Sequence, residues 1–167
     1  ENNLWGKLGW WDASYRIPLI IHIPGQQPSL INDMTESVDL VPTILDWLGG
    51  DIPLDWNGRS LLPYLSNQKN QISPKDYVVF DYDFREFTSF VINKKLAPEE
   101  CNLSVIRTDK WKYVHFPSLP PLMFNIEDDP YETNSLADIP EYLSIKNELL
   151  SKLLSHRMLH QERQLSN

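Results

Sequence analysis

Hydrophobic and polar positions alternate most clearly in the second half of the chain. From Tyr77 to Phe84, aromatic side chains alternate with aspartates, which predicts a strand with one solvated face. Leu103–Arg107 and Trp111–Phe116 are two apolar runs separated by a short polar stretch, which is the pattern of a β-hairpin. Leu122–Ile126 is a further predicted strand, and a turn-forming sequence follows it. These segments together predict a small antiparallel sheet.

Two segments repeat apolar residues at the three- and four-residue spacing of an amphipathic helix. The first begins after Asp39, its predicted N-cap, and ends near Gly49. We expect its buried face to contain Leu40, Ile44, Leu45 and Leu48. The second begins near Pro140 and should pack on the small sheet or on a partner subunit through one apolar stripe, formed by Ile145, Leu149, Leu150, Leu153, Leu154 and Met158.

The run Pro18–Pro24, with the sequence PLIIHIP, is apolar without period-two alternation. Such a run predicts a strand that is covered on both faces within a mostly parallel sheet. The residues before it are too few to supply neighbouring strands, and the chain begins with Glu1 rather than methionine. We therefore expect a piece of a larger protein, in which Leu19–Ile23 must pair with another copy or rearrange if the piece folds alone.

Several ordered blocks of the chain resemble one enzyme family. WGKLGWWDASYRIPLIIHIPG, followed by VDLVPTILDWLGG and NGRSLLPYL, resembles the C-terminal part of sulfatases in the alkaline-phosphatase-like superfamily. VIRTDKWKYVHFPSLPPLMFNIEDDPYETNSLA is similar to the branch of phosphonate monoester hydrolases and phosphodiesterases. The resemblance implies an α/β fold, or α+β for the isolated fragment: a strand of the large sheet, then a small antiparallel sheet and a long terminal helix. It also implies two domains, with residues 1–66 ending the catalytic domain and residues 67–167 forming the sheet-and-helix subdomain.

The same resemblance implies that the parent enzyme hydrolyses a sulfate, phosphodiester or phosphonate monoester bond at a divalent metal, with a formylglycine nucleophile. Lys7 lies in the GK element and matches a lysine that places its ammonium against the non-bridging oxygens of the ester, so it is the catalytic and substrate-binding candidate. An ordinary loop lysine would simply be solvated. No residue of this chain matches a metal ligand, so we expect the isolated chain to be inactive.

Cys101 and Ser118 do not meet the requirement for the nucleophile. Conversion to formylglycine requires Cys or Ser, then any residue, Pro or Ala, any residue, and Arg. Cys101 begins CNLSV, and Ser118 begins SLPPL, which has the proline but not the arginine. We therefore interpret Cys101 as a structural residue.

Two other groups of residues could be mistaken for metal sites. Asp81 and Asp83, with Glu86 nearby, fall on the polar face of a predicted strand, which favours a solvated surface over a carboxylate site. His156 and His160 have helical i, i+4 spacing, but no glutamate follows His156 as in the HExxH motif. We interpret that pair as part of a helix surface or interface.

Composition restricts the possible partners. The chain has 167 residues, of which 41% are hydrophobic, and its net charge is −8. It can bury one sizeable core, and its acidic balance argues against nucleic acid and anionic membranes as partners. The longest apolar runs are shorter than a membrane helix requires. A single cysteine excludes an internal disulfide and is compatible with the cytoplasm.

A different class of function is also open. The long terminal helix and the apolar strand would suit a non-catalytic interaction or oligomerisation module, and either interpretation leads us to expect a homo-oligomer. The six tryptophans allow a third interpretation, a carbohydrate-binding domain, because aromatic rings stack on sugars.

Overall fold

The computed structural model describes residues 8–66 and 72–161. The chain divides into two compact units: Leu19–Val78 form one, and the residues before Leu19 and after Val78 form the other. This division follows spatial contacts and differs from the boundary at residue 66 implied by the family resemblance, which stays a prediction. Within the described ranges, no helix is long and apolar enough to cross a membrane.

The described elements are five helices, four strands and three short 3-10 turns. The helices are α1 (Asp12–Tyr15), α2 (Leu40–Trp47), α3 (Leu62–Leu65), α4 (Thr88–Lys94) and α5 (Leu143–Leu159). The strands are β1 (Val78–Asp83), β2 (Asn102–Arg107), β3 (Trp111–His115) and β4 (Leu122–Asn125). The 3-10 turns are Ser37–Asp39, Pro98–Glu100 and Pro140–Tyr142.

The four strands form one antiparallel sheet in the order β1-β2-β3-β4, which confirms the predicted sheet and hairpin. Val105 of β2 lies opposite Val114 of β3, and Leu122 of β4 lies opposite Val114 on its other side. Because side chains alternate between faces, these residues share one face of the sheet. The core cluster on that face contains Phe84, Cys101, Leu103, Val105, Val114, Phe116 and Phe124.

The terminal helix α5 contacts β2 and β3, as predicted. Leu149 and Leu153 are its buried residues. Leu154 and Met158 belong to the predicted stripe but are about 60% exposed, because a helix resting on a flat sheet buries only the narrow line of side chains beneath its axis.

The segment from Leu8 to Pro18 belongs to the same unit as the sheet. Trp10 stacks on Trp11 with ring centroids 4.3 Å apart, and its ring also meets Phe116 edge to face at 6.0 Å. Tyr15 stacks on Phe80 of β1 at 4.0 Å. Since Phe116 belongs to the core cluster, this segment covers the sheet face opposite α5.

In the unit Leu19–Val78, α2 begins directly after Asp39, and Gly49 has a positive φ of 77°, as the predicted helix end requires. Asp39 does not act as the predicted side-chain N-cap, because its carboxylate accepts the backbone N–H groups of Glu36 and Arg59 and makes no cap hydrogen bond to α2. The predicted buried face was wrong, because Ile44 and Leu48 are exposed. The inner face is formed by Pro42 and Thr43 instead. Thr43 Oγ1 donates to the Asp39 carbonyl at 2.6 Å and accepts the Leu61 N–H at 2.9 Å. Polar anchoring, rather than the apolar spacing, orients this helix.

The strand predicted at Leu19–Ile23 is absent from the described structure. Leu19 and Ile21 are exposed, and Ile20 is 90% exposed. A strand exists only through hydrogen bonds to a neighbour, and no other described strand pairs with this segment. The apolar sequence therefore remains uncovered within the described part of the chain.

Candidate functional site

Lys7, the predicted catalytic residue, lies outside the described residues. The structure does describe the chain that follows it, starting with Leu8. Ser14 Oγ in α1 donates to the Leu8 carbonyl oxygen at 3.1 Å. The backbone next to Lys7 is therefore tied to α1.

A group of charged residues, of which Lys112 and Glu132 are buried and Asp12 and Arg107 partly buried, attaches α1 to the sheet. Lys112 on β3 is fully buried, and its Nζ lies 2.5 Å from Asp12 Oδ1 and 2.8 Å from Glu132 Oε2. Arg107 Nε on β2 lies 3.2 Å from Asp12 Oδ2. We call Asp12, Arg107, Lys112 and Glu132 the Asp12 cluster. Its two cations and two carboxylates balance in formal charge, which is the condition for keeping such groups away from water.

Lys112 is buried because of its register in the sheet. It lies opposite Arg107 of β2 and Phe124 of β4, on the face that carries Val114. Segment 8–18 covers that face, so the ammonium cannot reach solvent by extending its side chain.

Glu132 is held in an unusual conformation. Its φ is +55°, in the left-handed region that residues with a side chain rarely adopt. Its Oε1 accepts the backbone N–H of Asp12 at 2.6 Å, while Oε2 accepts from Lys112. The conformation is maintained because both carboxylate oxygens of Glu132 are used within the cluster.

The two carboxylates respond differently to this environment. Burial opposes ionisation of Asp12, but the charges of Lys112 and Arg107 outweigh that effect, so the pKa of Asp12 lies below its ordinary value of 3.8. Burial raises the pKa of Glu132 above 4.5, because Lys112 offsets only part of the cost and the charge of Asp12 adds to it. Asp12 has two cationic partners, whereas Glu132 is more deeply buried and has one.

The displaced pKa values of the two carboxylates predict opposite pH dependences of stability. For Glu132, the native state binds more protons than the unfolded state between pH 4.5 and the raised pKa, so the free energy of unfolding falls as the pH rises through that window. For Asp12, the contribution is present above pH 3.8 and is lost as the pH falls through the lowered pKa. A tenfold difference in proton affinity between the two states changes the free energy of unfolding by about 1.4 kcal/mol.

Urea unfolding of the wild type, Glu132→Gln and Asp12→Asn over a range of pH measures both effects. The stability of the wild type relative to Glu132→Gln should decrease as the pH rises above 4.5. Its stability relative to Asp12→Asn should decrease as the pH falls below 3.8. A slope of the opposite sign for either carboxylate would contradict its assignment.

Sequence reasoning did not identify the Asp12 cluster. The sequence did contain an indication of a buried charge. Lys112 is a charged residue within a predicted strand, and its neighbours Trp111 and Tyr113 are both aromatic. A lysine buried in this way requires carboxylate partners. The pattern does not say which carboxylates they are, since Asp12 and Glu132 are 100 and 20 residues away along the chain.

Cys101 occupies the place expected of a structural residue. It is fully buried in the core cluster, and its Sγ lies 3.2 Å from the Ala97 carbonyl. Burial, with help from the charges of Asp83 and Glu100, raises the pKa of the thiol above 9.0. The thiol therefore has neither the access nor the thiolate character of a nucleophile.

The acidic residues near β1 are paired with arginines rather than arranged around a metal. Asp81 Oδ1 lies 2.7 Å from Arg157 Nη1 of α5, and Asp83 Oδ2 lies 2.6 Å from Arg85 Nη2. Asp83, Arg85 and Glu86 line a shallow, open depression in the surface. This agrees with the predicted solvated strand face.

The histidine pair on α5 also lacks the features of a metal site. His156 and His160 have ring centroids 4.0 Å apart, and His160 Nδ1 lies 2.8 Å from the His156 carbonyl oxygen. Across residues 8–66 and 72–161, no group of three or more His, Cys, Asp or Glu side chains could hold a metal. The described residues thus do not provide the divalent-metal site that the resemblance implies for the parent.

Comparison with known proteins identifies the family. Residues 1–159 match the family described as N-sulphoglucosamine sulphohydrolase, C-terminal. The chain belongs to this family of sulfatase C-terminal domains. Among curated relatives, the multifunctional alkaline phosphatase superfamily protein PehA of Trinickia caryophylli is 38% identical and matches 100% of the chain but 33% of its own length. The choline-sulfatase of Rhizobium meliloti (strain 1021) is 33% identical over 84% of the chain and 25% of its own length.

A solved structure supports the fold of this sulfatase C-terminal domain. The phosphonate monoester hydrolase SpPMH from Silicibacter pomeroyi is 32% identical and superposes with a TM-score of 0.85. The match covers 97% of the chain and 33% of that protein. The chain therefore spans between a quarter and a third of the length of these proteins, and the predicted mixed α/β fold with a small antiparallel sheet and a long terminal helix is confirmed.

Proposed function

We propose that the complete protein containing this chain is a metal-dependent hydrolase of sulfate, phosphodiester or phosphonate monoester bonds. The proposal is carried by the match of residues 1–159 to a sulfatase C-terminal family, with relatives that are a choline-sulfatase and an alkaline phosphatase superfamily protein. In this proposal the metal ligands and the formylglycine nucleophile lie outside the chain. The chain by itself is inactive, because a lysine without a bound metal or nucleophile lowers the barrier little.

Within this proposal, Lys7 binds the anionic ester and stabilises the charge that develops on its non-bridging oxygens. An ammonium group is suited to the role because it is a compact charge with three donors. Such a charge accelerates the reaction only if it is better placed for the transition state than for the substrate. The support for Lys7 is its place in WGK, directly before a segment that is anchored to the sheet.

The test is a hydrolysis assay of the complete protein on one phosphonate monoester, one phosphodiester and one sulfate ester. We expect turnover of at least one of them, its loss after treatment with a chelator, and its recovery on addition of a divalent metal. Residues 1–167 expressed alone should show no turnover under the same conditions. Absence of hydrolysis by the complete protein, or equal activity of the isolated chain, would refute the proposal.

A second candidate function, self-association, is favoured by one observation. Val41, Ile44 and Leu48 are each more than half exposed on one side of α2. Exposed apolar groups of this kind mark contact surfaces. Light scattering of the complete protein tests whether this apolar surface joins two copies. A wild-type dimer that Ile44→Lys converts to a monomer favours self-association. A wild type that is already monomeric favours contacts of the surface within the longer protein.

A further inference from the structure

We infer that the Asp12 cluster is a positioning device that fixes residues 8–15, which directly follow Lys7 in the chain, relative to the sheet. This inference rests on the function proposed above for Lys7. Asp12, Lys112 and Glu132 do not need to touch the ester; they act through the backbone that carries Lys7.

The cluster fixes both the side chain and the backbone of Asp12. The side chain accepts from Lys112 and Arg107, while the backbone N–H donates to Glu132. Lys112 also donates to Glu132, so the contacts close a ring through the backbone of Asp12. A residue held by side chain and backbone together can neither rotate nor slide without breaking a buried charged contact.

The fixation of Asp12 reaches the residue beside Lys7. α1 begins at Asp12, and Ser14 in α1 donates to the Leu8 carbonyl. Trp10, between these points, is stacked on Trp11 and packed against Phe116. The anchored segment therefore ends one peptide bond from the lysine.

The charged cluster contributes a defined geometry more than it contributes stability. Buried ion pairs stabilise a fold no better than apolar residues of similar size, because removing charges from water is costly. Directional charged contacts do define a single geometry. The left-handed φ of Glu132 is a further cost that an apolar contact would not require. We therefore attribute the desolvation of the charges and the left-handed φ of Glu132 to a functional requirement for a fixed orientation of α1.

The consequence for catalysis is a specific kinetic signature. A misplacement of about 1 Å in a group that stabilises the transition state can reduce the rate about 100-fold. Such a change lowers kcat more than it alters KM, because the ground-state complex loses little binding. A variant that only destabilises the fold lowers the amount of active enzyme and leaves the kinetic constants per active site unchanged.

The experiment is a double-mutant cycle in the complete protein with Asp12→Asn and Lys7→Ala. We expect Asp12→Asn to lower kcat about 100-fold, and to cause little further loss when Lys7 is already alanine. Glu132→Gln is the second variant, because it weakens the contacts of Glu132 with Lys112 and with the backbone N–H of Asp12 and leaves the Asp12 side chain unchanged. Hydrogen exchange of the amides of residues 8–15 reports the same loosening without any substrate.

Glu36→Gln is the matched control. Glu36 Oε2 lies 2.6 Å from Lys75 Nζ, and its side chain is 22% exposed, compared with 20% for Asp12. The substitution removes an equivalent carboxylate–lysine pair in the unit Leu19–Val78. We expect it to leave the exchange of residues 8–15 and the coupling to Lys7 unchanged.

The outcomes separate the two proposals. If Lys7→Ala retains full activity, or the wild type hydrolyses no ester, the proposed function fails and the positioning role fails with it. If Lys7→Ala is impaired but its effect adds independently to that of Asp12→Asn, the hydrolase stands and the positioning role is wrong. Unchanged hydrogen exchange in Asp12→Asn would also overturn the positioning role.

Discussion

Replacing Lys112 by methionine is expected to lower the free energy of unfolding by about 3–5 kcal/mol. Methionine preserves an unbranched side chain but removes the ammonium group that Asp12 and Glu132 share. The Glu132 side chain is 2% exposed, so water cannot replace the lost donor. One carboxylate must then bind a proton or move toward solvent, and either response opens the contact between α1 and the sheet. Urea unfolding at neutral pH measures the loss.

Lys110→Met is the matched control for this prediction. Lys110 lies two residues before Lys112, and its Nζ is 3.0 Å from Glu127 Oε2, but both side chains are about half exposed. An ion pair in water contributes little, so its loss should be far smaller. Equal losses for the two variants would show that Lys112 acts as an ordinary surface lysine.

Replacing Lys7 by alanine is expected to lower kcat/KM of the complete protein by about 100- to 1000-fold, the range seen when one charge-stabilising donor is removed from an active site. The expectation follows from the proposed contact between the ammonium and the transferred group. Steady-state kinetics on the ester that the complete protein hydrolyses best measures the effect.

Two further variants make the Lys7 result specific. Lys7→Arg keeps the charge but changes its shape and reach, so it should recover only part of the activity. Lys94→Ala removes an exposed lysine from the last turn of α4 and should have wild-type kinetics. Wild-type kcat/KM in Lys7→Ala would exclude the proposed role of this residue.

The second half of the fold could be predicted well because its patterns are local and consistent. Alternation in Tyr77–Phe84 and the two runs around Thr108 correspond to β1, β2 and β3. β2, β3 and β4 are joined by short connections, so the residues that set their register are close in sequence, whereas β1 pairs with β2 across a longer connection that contains α4. The three- and four-residue spacing of apolar residues in α5 likewise predicted the side that packs on the sheet, which includes the buried Leu149 and Leu153.

Predictions failed where the deciding contacts were distant or were polar. The apolar spacing in α2 indicated a buried face at Ile44 and Leu48, but the hydrogen bonds of Thr43 turn that face outward. The apolar run at Leu19–Ile23 indicated a strand, and no described neighbour pairs with it. An apolar pattern states that a residue prefers to be covered; it does not supply the partner that covers it.

The sequence by itself determined the sheet, the terminal helix and the family, because alternation, helical spacing and ordered motifs are written along contiguous residues. It also indicated Lys7 through the motif around it. Only the tertiary structure decided that Lys112 is buried and that Asp12 and Glu132 are its partners. The physical reason is that a charged side chain can be buried only beside opposite charges. Here those charges come from distant positions in the sequence, and a local pattern contains no information about them.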